Sequence, residues 1–271
     1  MDADSILQHD SLEKIVRPVL EDENVIARMQ SLEYARSFLA ARILLDKINA
    51  NMIISGAFGL FEKKTVIAVG GYDRSTMGED MELVVRLHEF SRMNRKPYKI
   101  DFAQDAICWS QTPEKLSELG KQRKRWQRGL FQCMWGHRKM LANPRYGAVG
   151  LLSYIYFLFY ELLSPFIELF GILTMVLSVM MDMLNVKFML AFLACYALYG
   201  ILLTLTAYFS RIYTIDQKLS FRELILAIVA CFFETTFLRF YLAFVRVTAF
   251  VGYKKNKLNW GKLERKKMNG I

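Results

Sequence analysis

The chain has 271 residues, of which 54% are hydrophobic and 14% aromatic, and its 36 basic and 26 acidic side chains give a formal charge of +10. This apolar content is ample for a folded core and excludes a disordered chain. The four cysteines are scattered, without the spacing of a disulfide framework or of zinc ligands, which argues against a redox or zinc-finger protein.

The first feature in chain order is a pair of carboxylates one residue apart, Asp2 and Asp4. Two carboxylates so spaced at the end of a strand can hold a hard divalent cation that bridges to a diphosphate. Acids near a terminus are more often simply solvated, so the pair alone is a weak signal. Helices are predicted next, at Ser11–Asp22 and over Ile26–Ile48, from their apolar periodicity.

The segment Ile53–Phe61 is rich in strand-forming residues and predicts a β-strand. Its small residues Gly56 and Ala57 mark a place where a ligand can approach the backbone closely. A second strand is predicted at Tyr98–Ala103, where apolar and polar residues alternate. Strands that alternate with helices predict an α/β fold for residues 1–148.

An acidic group, Gly78-Glu79-Asp80, stands at the start of a predicted helix. A carboxylate at that position, on the floor of a pocket, can act as a general base on a hydroxyl nucleophile. Asp80 and Glu79 are therefore candidate catalytic residues. The simpler alternative is that these acids only complement the positive end of the helix dipole.

Thr112-Pro113-Glu114 predicts the start of a helix that carries residues 122–137 towards the apolar half of the chain. Within it, Gln122, Arg125 and Trp126 fall at positions i, i+3 and i+4 and share one face. That face offers an amide for sugar hydroxyls, a guanidinium for phosphate and a flat ring for a pyranose. A solvated basic stripe against lipid headgroups is the alternative, and it explains the tryptophan less well.

Two long apolar runs follow, Leu151–Met181 and Lys187–Tyr208. About 20 apolar residues span a bilayer core, so the two runs and their short connection predict an antiparallel membrane hairpin. Between Lys121 and Arg145 the chain has eight Lys or Arg and no Asp or Glu. By the positive-inside rule, the first half is therefore predicted to be cytoplasmic.

A third apolar stretch, Leu224–Val251, contains Glu234, Arg239 and Arg246. Charges at membrane depth usually face a bundle interior or a polar cavity. The basic residues after position 251 favour the anionic cytoplasmic surface, and one more complete crossing would place them outside. The stretch is therefore predicted to be an interfacial or re-entrant element.

The order Asp-x-Asp, Gly-Glu-Asp, Gln-x-x-Arg-Trp and membrane helices resembles the membrane-bound family 2 glycosyltransferases, the group of cellulose, chitin, hyaluronan and poly-N-acetylglucosamine synthases. The stretches Met77–Leu87 and Asn143–Gly147 agree with it. The resemblance covers nearly the whole chain. It implies a partial GT-A domain, a Rossmann-like α/β fold, at 1–148, then transmembrane or interfacial helices at 149–251 and a basic cytoplasmic tail at 252–271.

The activity that the resemblance implies is inverting transfer of a sugar from a nucleotide-diphosphate sugar to a growing glycan at the cell membrane. The Asp-x-Asp carboxylates would hold Mg²⁺ or Mn²⁺ on the diphosphate, and Asp80 would deprotonate the acceptor hydroxyl. Arg125 would contact the diphosphate, while Gln122 and Trp126 hold the acceptor. The partners implied are the sugar donor, the glycan acceptor and the lipid bilayer.

Other expectations concern partners and completeness. Members of this family normally carry a uridine-binding half before the Asp-x-Asp motif, so we expect these residues alone to bind a nucleotide sugar poorly. The alternative function is a catalytically inactive, membrane-anchored fragment or partner subunit of such an enzyme. A transporter or channel is a third possibility, suggested by the charges in the last apolar stretch. Nucleic acid is not an expected partner, because the sequence has no zinc-finger or RNA-binding motif.

Overall fold

The computed structural model describes residues 24–36, 41–56, 59–95, 99–101, 112–214 and 221–253. Within these ranges the chain is helical and no strand pairs with another. The predicted helix at Ser11–Asp22 lies outside them.

The described residues before position 137 contain five α-helices: α1 (Val25–Arg36), α2 (Ile43–Lys47), α3 (Lys63–Ala68), α4 (Glu79–Met93) and α5 (Leu116–Gly136). The Asn24 side chain caps α1 by accepting hydrogen bonds from the backbone N–H groups of Ile26 and Ala27. The first turn of α4 carries three acidic residues, whose negative charges interact favourably with the positive end of the helix dipole. The helix predicted over Ile26–Ile48 is helical in its described parts, which include α1 and α2, while residues 37–40 lie outside the described ranges.

The segments predicted as strands have no regular secondary structure in their described parts, so the α/β fold is not confirmed. Their polar backbone groups bond to side chains instead: the N–H of Ile100 donates to Asn49 Oδ1 at 3.0 Å. Their apolar residues pack on α4, where Ile54 and Ile100 join a cluster with Leu83, Val84 and Leu87. Burial of that helix face, rather than a β-ladder, holds these segments.

A larger hydrophobic core joins α4 and α5 to the chain that follows position 148. Its buried members include Met52, Met81, Val85, Cys133, Met140, Val149 and Tyr154. The packing therefore continues across the predicted domain boundary at 148. A separate cluster of Met29, Leu119, Leu238 and Leu242 connects α1 and α5 to the segment around residue 240.

The apolar half of the chain consists of α6 (Val149–Leu162, with π-helical turns), α7 (Ser164–Met180), α8 (Val186–Thr214), α9 (Phe221–Phe233) and α10 (Arg239–Thr248), the last two joined by a π-helical turn. By length and composition, the described residues offer two helices able to cross a membrane, Val186–Ser210 and Leu224–Thr248. The bent pair α6 and α7 can add a third.

The first apolar run is broken, which the sequence analysis did not predict. α6 and α7 meet at 46° near Leu163, and Pro165 follows at the start of α7. Proline has no N–H to offer the carbonyl four residues before it, so the Glu161 carbonyl is left without a helical partner. Arg246 donates to that carbonyl, and Gln127 Nε2 donates to the Leu162 carbonyl at 2.9 Å. Side chains of other helices thus supply hydrogen-bond donors to the backbone carbonyls at the break.

The charged residues of the third apolar stretch face other helices. The guanidinium of Arg36 on α1 binds Glu234 through two hydrogen bonds of 2.9 and 3.1 Å. Arg239 lies 2.7 Å from a carboxylate oxygen of Glu168 on α7. By length and composition Leu224–Thr248 could span a membrane, and its prediction as an interfacial or re-entrant element stays a prediction.

Candidate functional site

The carboxylate of Asp80 lies in the first turn of α4 and is half-buried. Its Oδ1 accepts a hydrogen bond from the N–H of Met81 at 2.8 Å, and its Oδ2 accepts one from the N–H of Gly56 at 3.1 Å. A Cβ atom on Gly56 would lie 3.6 Å from the Asp80 side chain. The structure therefore brings Asp80 and Gly56, both predicted site residues, into contact, with Glu79 as the preceding residue.

A neutral histidine supports the segment that carries Gly56. The buried Nε2 of His88 lies 2.7 Å from the Asn51 carbonyl, so it must be the nitrogen that donates. Burial lowers the pKa of His88 to about 4, the hydrogen bond to Asn51 opposes this fall, and Arg92 adds to it. His88 is therefore uncharged at neutral pH and holds residue 51 against α4.

The loop before α4 is fixed to α5 by backbone contact. The Gln132 side chain accepts hydrogen bonds from the Met77 N–H at 2.8 Å and from the Thr76 hydroxyl at 3.1 Å. A Cβ atom on Gly129 would lie 2.7 Å from the backbone nitrogen of Gly78. Only glycine permits so close an approach, so the loop before Asp80 and the helix with Gln122, Arg125 and Trp126 form one unit.

We expect Gly129→Ala to weaken this unit. The added methyl group would meet backbone atoms, which cannot move aside as a flexible side chain can. Overpacking of this kind costs about 1–3 kcal/mol, and the free energy of unfolding should fall by that amount. Thermal unfolding in detergent micelles measures it.

Gly136→Ala is the matched control, because Gly136 ends the same helix and a Cβ atom there would meet nothing within 4 Å. Its unfolding midpoint should stay the same or rise slightly, since alanine is the better helix former. Equal midpoints for the two variants would contradict the close approach of Gly78 and Gly129.

The predicted binding face of α5 combines a half-buried amide, a half-buried guanidinium and an exposed ring. The Oε1 atom of Gln122 is buried and accepts no hydrogen bond from any residue within the described ranges. A buried acceptor without a donor is unfavourable, and a ligand hydroxyl can supply that donor. Trp126 is 41% exposed, which leaves part of its ring accessible. Arg125 lies between them in sequence.

Beneath Trp126 lies a group that the sequence analysis did not select. The guanidinium of Arg123 lies 4.4 Å from the centre of the Trp126 ring and 5.5 Å from that of Tyr34. Its NH2 group donates to Glu33 Oε2 at 2.6 Å. Glu33 and Tyr34 come from α1, which the Gln30 side chain ties to the chain before α5 through a 2.8 Å hydrogen bond to the Pro113 carbonyl.

Arg42 is a largely buried cation that interacts electrostatically with Asp80 and Tyr34. Burial lowers the pKa of Arg42 to about 10, and the negative charges of Asp80 and Glu161 oppose this fall. Arg42 therefore stays cationic at neutral pH. It also interacts with Tyr34, whose ring lies 6.4 Å from that of Trp126. Asp80 and Tyr34 thus both act on Arg42.

The predicted metal site lies outside the described residues, as do Asp2, Asp4 and Ala57. Within those ranges, no group of three or more His, Cys, Asp or Glu residues could hold a metal ion. The assignment of Mg²⁺ or Mn²⁺ to Asp2 and Asp4 stays a prediction.

One of the residues that the sequence analysis missed had a signal that could have revealed it. Gly129 stands in the middle of a helix, where glycine costs about 1 kcal/mol relative to alanine, and such a residue often marks a close approach. Arg42, Glu33 and Gln132 had no local signal, because their roles depend on contacts between segments far apart in sequence.

Comparison with known proteins identifies a matching family and relatives that align over part of their length. The family model described as glycosyl transferase family group 2 matches residues 1–245. The poly-beta-1,6-N-acetyl-D-glucosamine synthase of Staphylococcus aureus strain COL is 32% identical over 120 residues, which are 44% of this chain and 26% of that protein. The protein of the same name from Staphylococcus epidermidis is 31% identical over 120 residues, with the same coverage.

The alignments thus span about a quarter of the length of these curated relatives. No solved structure gives a significant match to the chain.

Proposed function

The chain belongs to glycosyl transferase family group 2, and from this premise we propose that it transfers a sugar from a nucleotide-diphosphate sugar to a hydroxyl of a growing glycan, with inversion at the anomeric carbon. The names of its relatives favour N-acetylglucosamine as the sugar to test first. The proposed location is the cell membrane, with several membrane-crossing helices and the site on the cytoplasmic side. The membrane part of the proposal is supported by the two helices that are long and apolar enough to cross a bilayer.

The observation that carries the proposal is the direct contact between the start of the helix with Asp80 and the helix with Trp126, made by Gly78 against Gly129 and by the hydrogen bonds of Gln132. Inverting transfer needs a base beside the attacking hydroxyl and a surface that holds the acceptor in line. A half-buried carboxylate and an exposed indole on two rigidly joined helices supply these two elements.

In the proposed step, the acceptor oxygen forms a bond to the anomeric carbon while the bond from that carbon to the diphosphate oxygen breaks. The hydroxyl proton passes to Asp80, and the bonding electron pair leaves with the nucleoside diphosphate. Arg125 is assigned to the diphosphate, whose growing charge its guanidinium stabilises. A hydroxyl of the glycan donates a hydrogen bond to the Oε1 atom of Gln122, which is buried and otherwise has no hydrogen-bond donor within the described residues.

The test is incorporation of radiolabelled sugar into polymer by membrane vesicles that contain the chain. UDP-N-acetylglucosamine, UDP-glucose and UDP-glucuronic acid are supplied in turn with Mg²⁺. We expect Trp126→Ala to lower incorporation at least tenfold, because the ring that holds the acceptor is lost, a change worth about 1.4 kcal/mol.

Trp135→Ala is the matched control, since Trp135 lies on the same helix and is 63% exposed. It should leave incorporation unchanged. If vesicles with the unmodified chain incorporate none of these sugars, the proposal that these residues act as an enzyme by themselves fails. That outcome would agree with the poor binding of a nucleotide sugar expected above, and the inactive partner subunit becomes the better explanation.

A further inference from the structure

We propose that Glu33 and Arg123 form a positioning pair that holds the ring of Trp126 as one wall of the acceptor site. This inference rests on the proposed function and assigns a role to two residues outside the Gln, Arg and Trp positions of the helix motif. Neither residue is placed in contact with the sugar; both act through the tryptophan.

The first argument is the geometry of the stack. The Arg123 guanidinium lies 4.4 Å from the Trp126 ring centre, well within the distance of a cation–π interaction. Its partner Glu33 fixes it through a hydrogen bond of 2.6 Å. Arg123 thus covers one face of the indole, and the exposed part of the ring is left to a ligand. The pyranose of a glycan presents a flat face of C–H groups that suits such a surface.

The second argument is that the pair is poorly explained by stability alone. The side chains of Arg123 and Glu33 are only 8% and 23% exposed, and a buried ion pair gains little over well-packed apolar residues. The Nε atom of Arg123 is buried and finds no hydrogen-bond partner among the residues that the structure describes. A buried donor without an acceptor lowers stability, so this arrangement is not the most stable one available. It does, however, fix the orientation of the flat Arg123 guanidinium.

The third argument is that the pair joins two helices at the level of the aromatic rings. Glu33 belongs to α1 and Arg123 to α5. Tyr34 follows Glu33, and its ring lies 6.4 Å from Trp126 at an interplanar angle of 36°. The ion pair therefore sets the angle between two aromatic rings as well as the position of one. Loss of the carboxylate frees the guanidinium and, with it, the indole.

The test separates binding of the acceptor from chemistry. For Glu33→Gln we expect the KM for an acceptor oligosaccharide to rise about tenfold, while kcat and the KM for the nucleotide sugar change less than twofold. Glu118→Gln, the same substitution on the first turn of α5, is the control and should change none of the three. A fall in kcat with an unchanged acceptor KM would overturn the proposal.

A second readout needs no turnover. In a chain whose other tryptophans (Trp109, Trp135, Trp260) are replaced by phenylalanine, the fluorescence of Trp126 reports oligosaccharide binding. Glu33→Gln should shift the emission of the free protein and weaken oligosaccharide binding about tenfold. If binding weakens although the unmodified protein incorporates no sugar, the positioning role stands and the proposed function fails. If neither emission nor binding changes, the positioning role is wrong whatever the activity.

Discussion

Asp80→Asn is expected to lower sugar incorporation by a factor of about 100 to 10,000, the usual contribution of a general base. Asparagine has nearly the same shape, and its single carbonyl oxygen can keep the hydrogen bond from Gly56 while the one from Met81 is lost, so the loop with Gly56 should keep its place. The amide cannot take the hydroxyl proton. Incorporation by membrane vesicles at saturating donor measures the loss, and nucleotide binding should be unchanged.

The matched control is Asp101→Asn, which removes a carboxylate that is 61% exposed and pairs with Lys99 at the surface. Its incorporation rate should equal that of the unmodified chain. If Asp80→Asn retains more than half of the activity, another group is the base. Glu79, the neighbouring acid in the same helix turn, would then be the next candidate.

Glu234→Ala is expected to destabilise the protein by about 3 kcal/mol. Its carboxylate is only 5% exposed and binds the Arg36 guanidinium through two hydrogen bonds, so its loss leaves a charge without its partner. Breaking a buried pair costs about 3–5 kcal/mol, and the 29% exposure of Arg36 favours the low end. The unfolding midpoint in detergent micelles should fall by about 10 °C.

Two further variants make this result specific to a buried pair. Arg36→Met combined with Glu234→Leu removes both charges and should recover most of the lost stability, because no unpaired ion remains. Lys99→Ala breaks the exposed pair with Asp101 and should change the free energy of unfolding by less than about 1 kcal/mol. A midpoint for Glu234→Ala equal to that of Lys99→Ala would show that Glu234 is solvated in the folded protein.

The helices that carry the site could be predicted because their signals are local. Glycine followed by acids at 78–80 marks the start of α4, and Pro113 with Glu114 precedes α5, which begins at Leu116. The presence of apolar helices of spanning length was also predictable, since it depends on composition over about 20 residues. The match of residues 1–245 to the family model confirms the resemblance to family 2 glycosyltransferases.

The rest could not be predicted because it depends on contacts distant in sequence. Ile53–Phe61 has strand-forming residues, yet a strand needs a neighbour, and among the described residues this segment meets a helix instead. The break near Leu163 could not be predicted without knowing that the side chains of Gln127 and Arg246 donate hydrogen bonds to the carbonyls that it frees. Arg42 and Glu33 gave no pattern of their own, and only the packing of α1 and α2 brings them to the site.

The approach of Gly78 and Gly129 has a mechanical consequence. Because the two backbones are in direct contact at this point, no free space remains between them, and α4 cannot slide along α5 without separating from it. Asp80 and Trp126 therefore lie on two helices whose relative position is fixed. In the proposed synthesis of a glycan, advance by one sugar unit would therefore have to come from movement of the polymer past both helices.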